Sequence, residues 1–179
     1  MRRRAGFTLL ELVVVICIIA VLAAKLLDWL RFYQEQAEKA AMEATVSAMQ
    51  AGLTLRASAL LIRGTPADIN ALNRQNPMDW LTERPGSYLG AFVREPPPEG
   101  GEAIWFFDTT TGTVVYRPLR RRFLLPGPDG SYDLRFRVEA EYVVERLGAG
   151  PGTEMPGLRR LRIAPVRSYS WFAGPEPGA

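Results

Sequence analysis

The chain has 179 residues, 47% of them hydrophobic, and a formal net charge of +3; beyond an N-terminal apolar run about 150 residues remain, enough for one small domain with a modest core. Arg2, Arg3 and Arg4 account for that charge, because the other 19 Lys and Arg balance 19 Asp and Glu, so the body lacks the cation surplus that nucleic-acid phosphates require. With no histidine and the single cysteine Cys17, a His-based catalytic triad, a Cys/His zinc site and a disulfide within the chain are excluded.

After Met1 to Gly6 the chain runs FTLLELVVVICIIAVLAA over residues 7–24. As a helix, this stretch rises about 27 Å, close to the ~30 Å hydrocarbon core of a bilayer. Lys25, Asp28 and Arg31 then return the chain to polar surroundings, so the spanning part is predicted at about 7–27. The arginines ahead of it predict a cytoplasmic N-terminus with the rest across the membrane, which in a bacterium means the inner membrane and the periplasm. Glu11 is the exception in the run. A carboxylate at the centre of a spanning helix costs on the order of 2.5–3.5 kcal/mol, and less near the edge. A cut before Phe7 would leave Glu11 one turn from a new ammonium, in its own or a neighbouring chain. That pair would offset the desolvation cost only when formed, which favours assembly in one register.

Ala5-Gly6 followed by Phe7-Thr8-Leu9-Leu10-Glu11, behind arginines and ahead of an apolar run, resembles the N-terminal signal of type IV pilins and type II secretion pseudopilins. The resemblance implies that a prepilin peptidase cuts between Gly6 and Phe7, that the Phe7 amine is then N-methylated, and that Glu11 aligns each incoming subunit with its neighbour. The implied partners are other pilin or pseudopilin subunits, the peptidase and an inner-membrane assembly platform. The segment AAKLLDWL has no proline where major pilins usually carry one, which favours a minor subunit. Two other readings stand beside this one. A secretory signal peptide would be cut near Val21-Leu22-Ala23, and a plain single-pass anchor would be left uncut. Glu11 argues against the first, and nothing in the second needs Gly6, Phe7 and Glu11 together.

From Ala24 to about Ile62 there is no proline and only Gly52, so the membrane helix is predicted to continue outward as a rod. Ala37, Ala41, Ala44, Met49, Leu53, Ala57 and Leu60 form its expected apolar stripe. Trp29, Phe32 and Tyr33 are candidate interface anchors. Gly64-Thr65-Pro66 ends the rod, and short helices are expected over 67–73 and 76–81. Pro85-Gly86 is a turn, and 95–101 a Pro/Gly surface loop. A hairpin is predicted from 103–108 and 113–117. Residues 132–144 alternate almost strictly, with Tyr132, Leu134, Phe136, Val138, Ala140, Tyr142 and Val144 on the core face. After a loop at 148–157, a last strand is expected from 158–163 and 166–172, interrupted by Pro165.

The expected fold class is α+β: a long N-terminal helix, transmembrane in its first half, packed on a small antiparallel sheet. The expected organisation is a leader at 1–6, a helix at 7–63 (amphipathic from 28), a periplasmic domain at 64–173 and a loose tail at 174–179. The sheet aromatics Trp105, Phe106, Phe107 and Tyr116 read as core, and the Arg/Glu face of 132–144 as cross-strand ion pairs. Arg120, Arg121 and Arg122 read as a solvated turn or strand end. Asp108, Asp129 and Asp133 fit no calcium pattern, and neither a metal, a cofactor nor a catalytic group is expected. The expected role is that of a structural subunit of a type II secretion pseudopilus. A minor pilin of a type IV pilus, or an adhesive or substrate-binding module at a filament tip, is the alternative.

Overall fold

The computed structural model describes residues 8–93, 101–146 and 154–172. The leader with Gly6 and Phe7, the loops at 94–100 and 147–153, and the tail from 173 lie outside the described residues.

Helix α1, Leu9–Ile62, is one unbroken element of 54 residues, about 81 Å long at 1.5 Å per residue. Thr8 caps it: the Glu11 N–H donates to the Thr8 hydroxyl at 3.3 Å, which satisfies one of the orphan donors of the first turn. Gly64, with φ of 75°, takes the left-handed conformation that closes the other end. Pro66 then opens a 3₁₀ segment, Pro66–Arg74, and a second follows at Pro77–Trp80.

Every residue of α1 up to Arg31 is exposed, and burial begins at Phe32. The buried stripe is Phe32, Glu35, Met42, Met49, Gly52, Leu53 and Ala57. This corrects the expected stripe in its first half, because Ala37, Ala41 and Ala44 face solvent. Alanine gains little from burial, so its spacing says little about which face packs; the long methionines decide that here. Phe32 is corrected as well. It is only 5% exposed and meets Phe123 and Phe172 edge-on at 5.3 and 5.2 Å, inside the domain rather than at a bilayer surface. Gly52 is required by close approach: a Cβ there would stand 2.9 Å from the Cβ of Trp80.

The sheet has five strands in the order β1 (Tyr88–Phe92), β2 (Ile104–Asp108), β3 (Thr113–Arg117), β4 (Leu134–Arg146) and β5 (Glu154–Pro165). Strands β2 to β5 pair antiparallel, but β1 runs parallel to β2, so the sheet is mixed rather than wholly antiparallel. Strand β1 was not anticipated. Its five residues YLGAF contain Gly90 and give too short a period-2 signal, and pairing direction is not written in local alternation. Strand β5 also begins inside the expected 148–157 loop, and residues 166–172 leave the sheet. There Trp171 bridges Leu124 instead.

Trp105 and Tyr116 lie opposite each other, as do Phe107 and Val114. With Leu134 and Phe136 they pack against Met42 and Met49 of α1 and against Met78, Leu124 and Trp171. Leu53 and Ala57 meet Ile69, Leu72, Val138 and Ala140 in a second cluster. On the other face of the sheet, Ile104, Phe106 and Val115 form a third, flanked by Phe92. Strand β2 is thus buried on both sides.

Beyond Phe136, strand β4 has no β3 residue beside it, so its main chain would face water on that edge. Two asparagines of the first 3₁₀ segment close it. The Asn73 amide exchanges two bonds with Ala140, both 2.7 Å, and the Asn70 amide exchanges two with Tyr142, at 2.8 and 3.1 Å. Three 3₁₀ residues rise about 6 Å, and two strand residues about 6.7 Å. Asparagines three apart therefore match alternate strand residues. The Gln50 amide does the same on β5, between Leu161 and Ile163. Exposed sheet edges invite pairing with other chains, and these side chains imitate a further strand.

Asn73→Ala strands the half-buried N–H and C=O of Ala140, whereas Asn70→Ala acts where water can replace the lost bonds. The first should destabilise by about 1–3 kcal/mol and the second by clearly less. Thermal unfolding of the two variants in detergent checks the order, and equal losses would refute the edge-capping account.

Candidate functional site

Of the expected site residues, Gly6 and Phe7 lie outside the described residues. Glu11 sits in the first turn of α1, where its negative charge complements the helix dipole. Among the described residues nothing pairs with its carboxylate. Leu9, Leu10, Leu12, Val13, Val14 and Val15 around it are all exposed. Among the described residues, α1 is the one helix long and apolar enough to cross a membrane, and none of its apolar window is buried against the domain. Cys17 is exposed within that window.

Two carboxylates on α1, Glu35 and Glu38, hold the domain, and neither is marked out by sequence pattern. Glu35 is 2% exposed. Its Oε1 accepts from the Phe123 N–H and from the Trp171 indole N–H, both at 2.9 Å. One turn on, Glu38 Oε1 accepts from the Leu119 N–H at 2.7 Å and from the Tyr116 hydroxyl at 3.2 Å. The Arg120 N–H reaches both Glu38 oxygens, at 3.3 and 3.2 Å, and the Arg120 guanidinium lies 3.4 Å from Oε2. Burial, then the Glu38 charge and the bond to it, push the Tyr116 phenol far above its ordinary range. The aromatic trio Phe32, Phe123 and Phe172 seals the end of this latch nearest the N-terminal half.

The signal for the latch was present but masked. Glu35 continues the buried spacing of Phe32, Met42 and Met49, yet glutamate on a helix ordinarily marks the wet face. Its donors, Phe123 and Trp171, stand 88 and 136 residues away in the chain. The arginines at 120–122 are likewise more than a solvated turn. Arg120 is bound to Glu38, the Arg121 guanidinium lies 5.2 Å from the centre of the Tyr132 ring, and Arg122 Nη1 lies 3.6 Å from Asp28 Oδ1.

The three aspartates weighed for calcium have separate partners. Asp108 accepts from the N–H groups of Thr110 and Thr111 in the β2–β3 turn and from Arg135. Burial opposes its ionisation, but these bonds outweigh it and hold the carboxyl below its usual range. Asp129 accepts from the Ser131 N–H and Arg167, and Asp133 forms a two-pronged pair with Arg117 at 2.9 and 3.0 Å. Glu139 accepts from Arg162 and Arg137 on the outer face of β4 and β5, and both lower its pKa. Among the described residues no three metal-ligating side chains gather.

Glu35→Ala leaves the buried Trp171 indole N–H and the part-buried Phe123 N–H without an acceptor and should destabilise by about 2–4 kcal/mol. Glu35→Gln keeps one acceptor oxygen and should lose less. Denaturant unfolding in detergent measures both, and native-like stability of the alanine variant would remove the latch from the energetics.

Residues 1–24 match the family described as the prokaryotic N-terminal methylation motif. Neither a curated protein nor a solved structure matches the chain. At the head of an α+β, pilin-like architecture, this chain therefore carries the prepilin-type methylation motif that is the signature of type IV pilins and pseudopilins.

Proposed function

We propose that the chain is a structural subunit, a pseudopilin or minor pilin, of a type II secretion pseudopilus. In this reading prepilin peptidase cuts between Gly6 and Phe7, the Phe7 amine is N-methylated, and the subunit waits in the inner membrane with its N-terminus cytoplasmic and its domain periplasmic. An inner-membrane platform then feeds it into a filament of like subunits. The observation that carries the reading is the state of α1. Its apolar window near the N-terminus has none of its residues buried against the domain, yet holds one carboxylate four residues beyond the expected cut. Four residues rise about 6 Å, one turn, so Glu11 is within reach of a Phe7 ammonium at the same depth on an adjoining helix. In lipid a charge alone is costly, and a paired one far less so. Filament assembly would then be selected by register.

The choice of a secretion pseudopilus over a type IV pilus rests on the small domain without a disulfide, and α1 running unbroken through AAKLLDWL favours a minor over a major subunit. A tip adhesive would be favoured by an exposed aromatic platform. Trp105, Phe106, Phe107 and Tyr116 are instead all buried, which weighs against that alternative.

Mass spectrometry of the mature N-terminus, from cells with and without prepilin peptidase, tests the processing. A methylated Phe7 is expected only with the peptidase; a free Met1 or a cut after Ala23 retires the reading. Gly6→Val should accumulate full-length precursor in the membrane. Glu11→Leu should be inserted and trimmed normally but enter filaments poorly, by about tenfold or more if the pair contributes upwards of ~1.4 kcal/mol. Normal incorporation in a shear-fraction assay would end the role given to the carboxylate.

A further inference from the structure

We propose that Arg122, on the domain, joins Lys25 and Arg31 of α1 in a cationic ring that binds the phosphates of anionic lipids where the helix leaves the bilayer. The inference rests on the single-pass reading of α1 given above. Counted from Thr8, a ~30 Å hydrocarbon core takes about 20 residues and ends near Leu27. The headgroup layer adds roughly 5–7 Å, the depth of the next turn, which holds Asp28 to Arg31. Arg122 is tied to that turn: its Nη1 lies 3.6 Å from Asp28 Oδ1. The loop that bears it is anchored higher on the helix, where Glu38 accepts from the Leu119 and Arg120 N–H groups and Glu35 from the Phe123 N–H. From between these anchors the Arg122 side chain reaches down the helix to Asp28, two turns nearer the expected membrane than Glu35.

The local charges do not cancel. Arg31 and Arg122 share one acid, Asp28, at 3.9 and 3.6 Å, and Lys25 adds a third cation one turn below it. Glu35 and Glu38 are occupied by main-chain donors. Both arginines are open to solvent, with side chains 65% and 59% exposed, and ion pairs of this length and exposure are weak in water. Either guanidinium can therefore turn to a phosphate, which it meets with two parallel N–H donors. Trp29 and Tyr33 stand exposed on the same stretch, as ring side chains do at the headgroup level of spanning helices. The charge complement of this ring is an anionic headgroup, and the spanning segment delivers one without a search. Such a contact would fix the domain's tilt over the membrane while the subunit waits for assembly.

The test is hydrogen exchange of the 119–125 backbone in the full chain, reconstituted in vesicles of phosphatidylcholine with and without phosphatidylglycerol. Exchange should be about fivefold slower with the anionic lipid. The difference should vanish in high salt and in Arg122→Gln, and should survive in part in Arg122→Lys. Inserted protein whose exchange is the same in both lipids overturns this proposal and leaves the spanning reading intact. Protection that follows protein density rather than lipid charge would give Arg122 to a second copy and also overturn it. A chain that stays out of the vesicles sinks both readings together.

Discussion

A helix of 54 residues buries seven of them, and all seven lie at or beyond Phe32. The domain is simply too short to cover the rest. The uncovered half is the more apolar half, so water is the wrong solvent for it. Lipid can cover it in a single subunit, and other helices of the same kind can cover it in an assembly. The processing motif at residues 1–24 stands at the head of this same half. Glu11 is what separates it from a generic anchor, since a carboxylate there lowers the affinity for lipid and raises the reward for a cationic neighbour.

The covered half meets a different requirement. If an assembly grips α1, the domain must hold a fixed position on that rod. Apolar packing through Met42, Met49 and Leu53 is strong but non-directional, and a smooth stripe tolerates small slides. Glu35 and Glu38 add direction. Each fixes main-chain N–H groups of the 119–123 segment at a defined height, and Glu35 also ties down Trp171 at the far end of the described chain. Taking a carboxylate out of water is expensive, and several donors are needed to offset it. Here they are supplied, and no buried side-chain polar atom among the described residues is left without a partner.

The sheet edges fit the same picture. Any protein that meets copies of itself at close quarters, as a pilin-type subunit would, is exposed to unwanted strand pairing. Side-chain amides of Asn70, Asn73 and Gln50 occupy the main-chain positions where a foreign strand would dock. In the proposed assembly, contact between subunits is thereby left to the helix.

Much of this was legible from the sequence alone, because it is local. A long stretch without proline, ended by Gly64 and Pro66, can only be a rod. The apolar run and the methylation motif at its head are both written in consecutive residues. The β2–β3 hairpin and the alternation of β4 follow from period-2 patterning around turn residues. Tertiary structure decided what such patterns do not encode. Periodicity reports which side of an element is apolar, but not which neighbour that side meets. So the parallel partner of β1, the solvent-facing alanines of α1 and the inward turn of Phe32 became visible only in the fold. Above all, Glu35 and Glu38 looked like wet helix positions. What makes their burial tolerable is a set of donors from residues 116–123 and 171, which only folding brings to the helix.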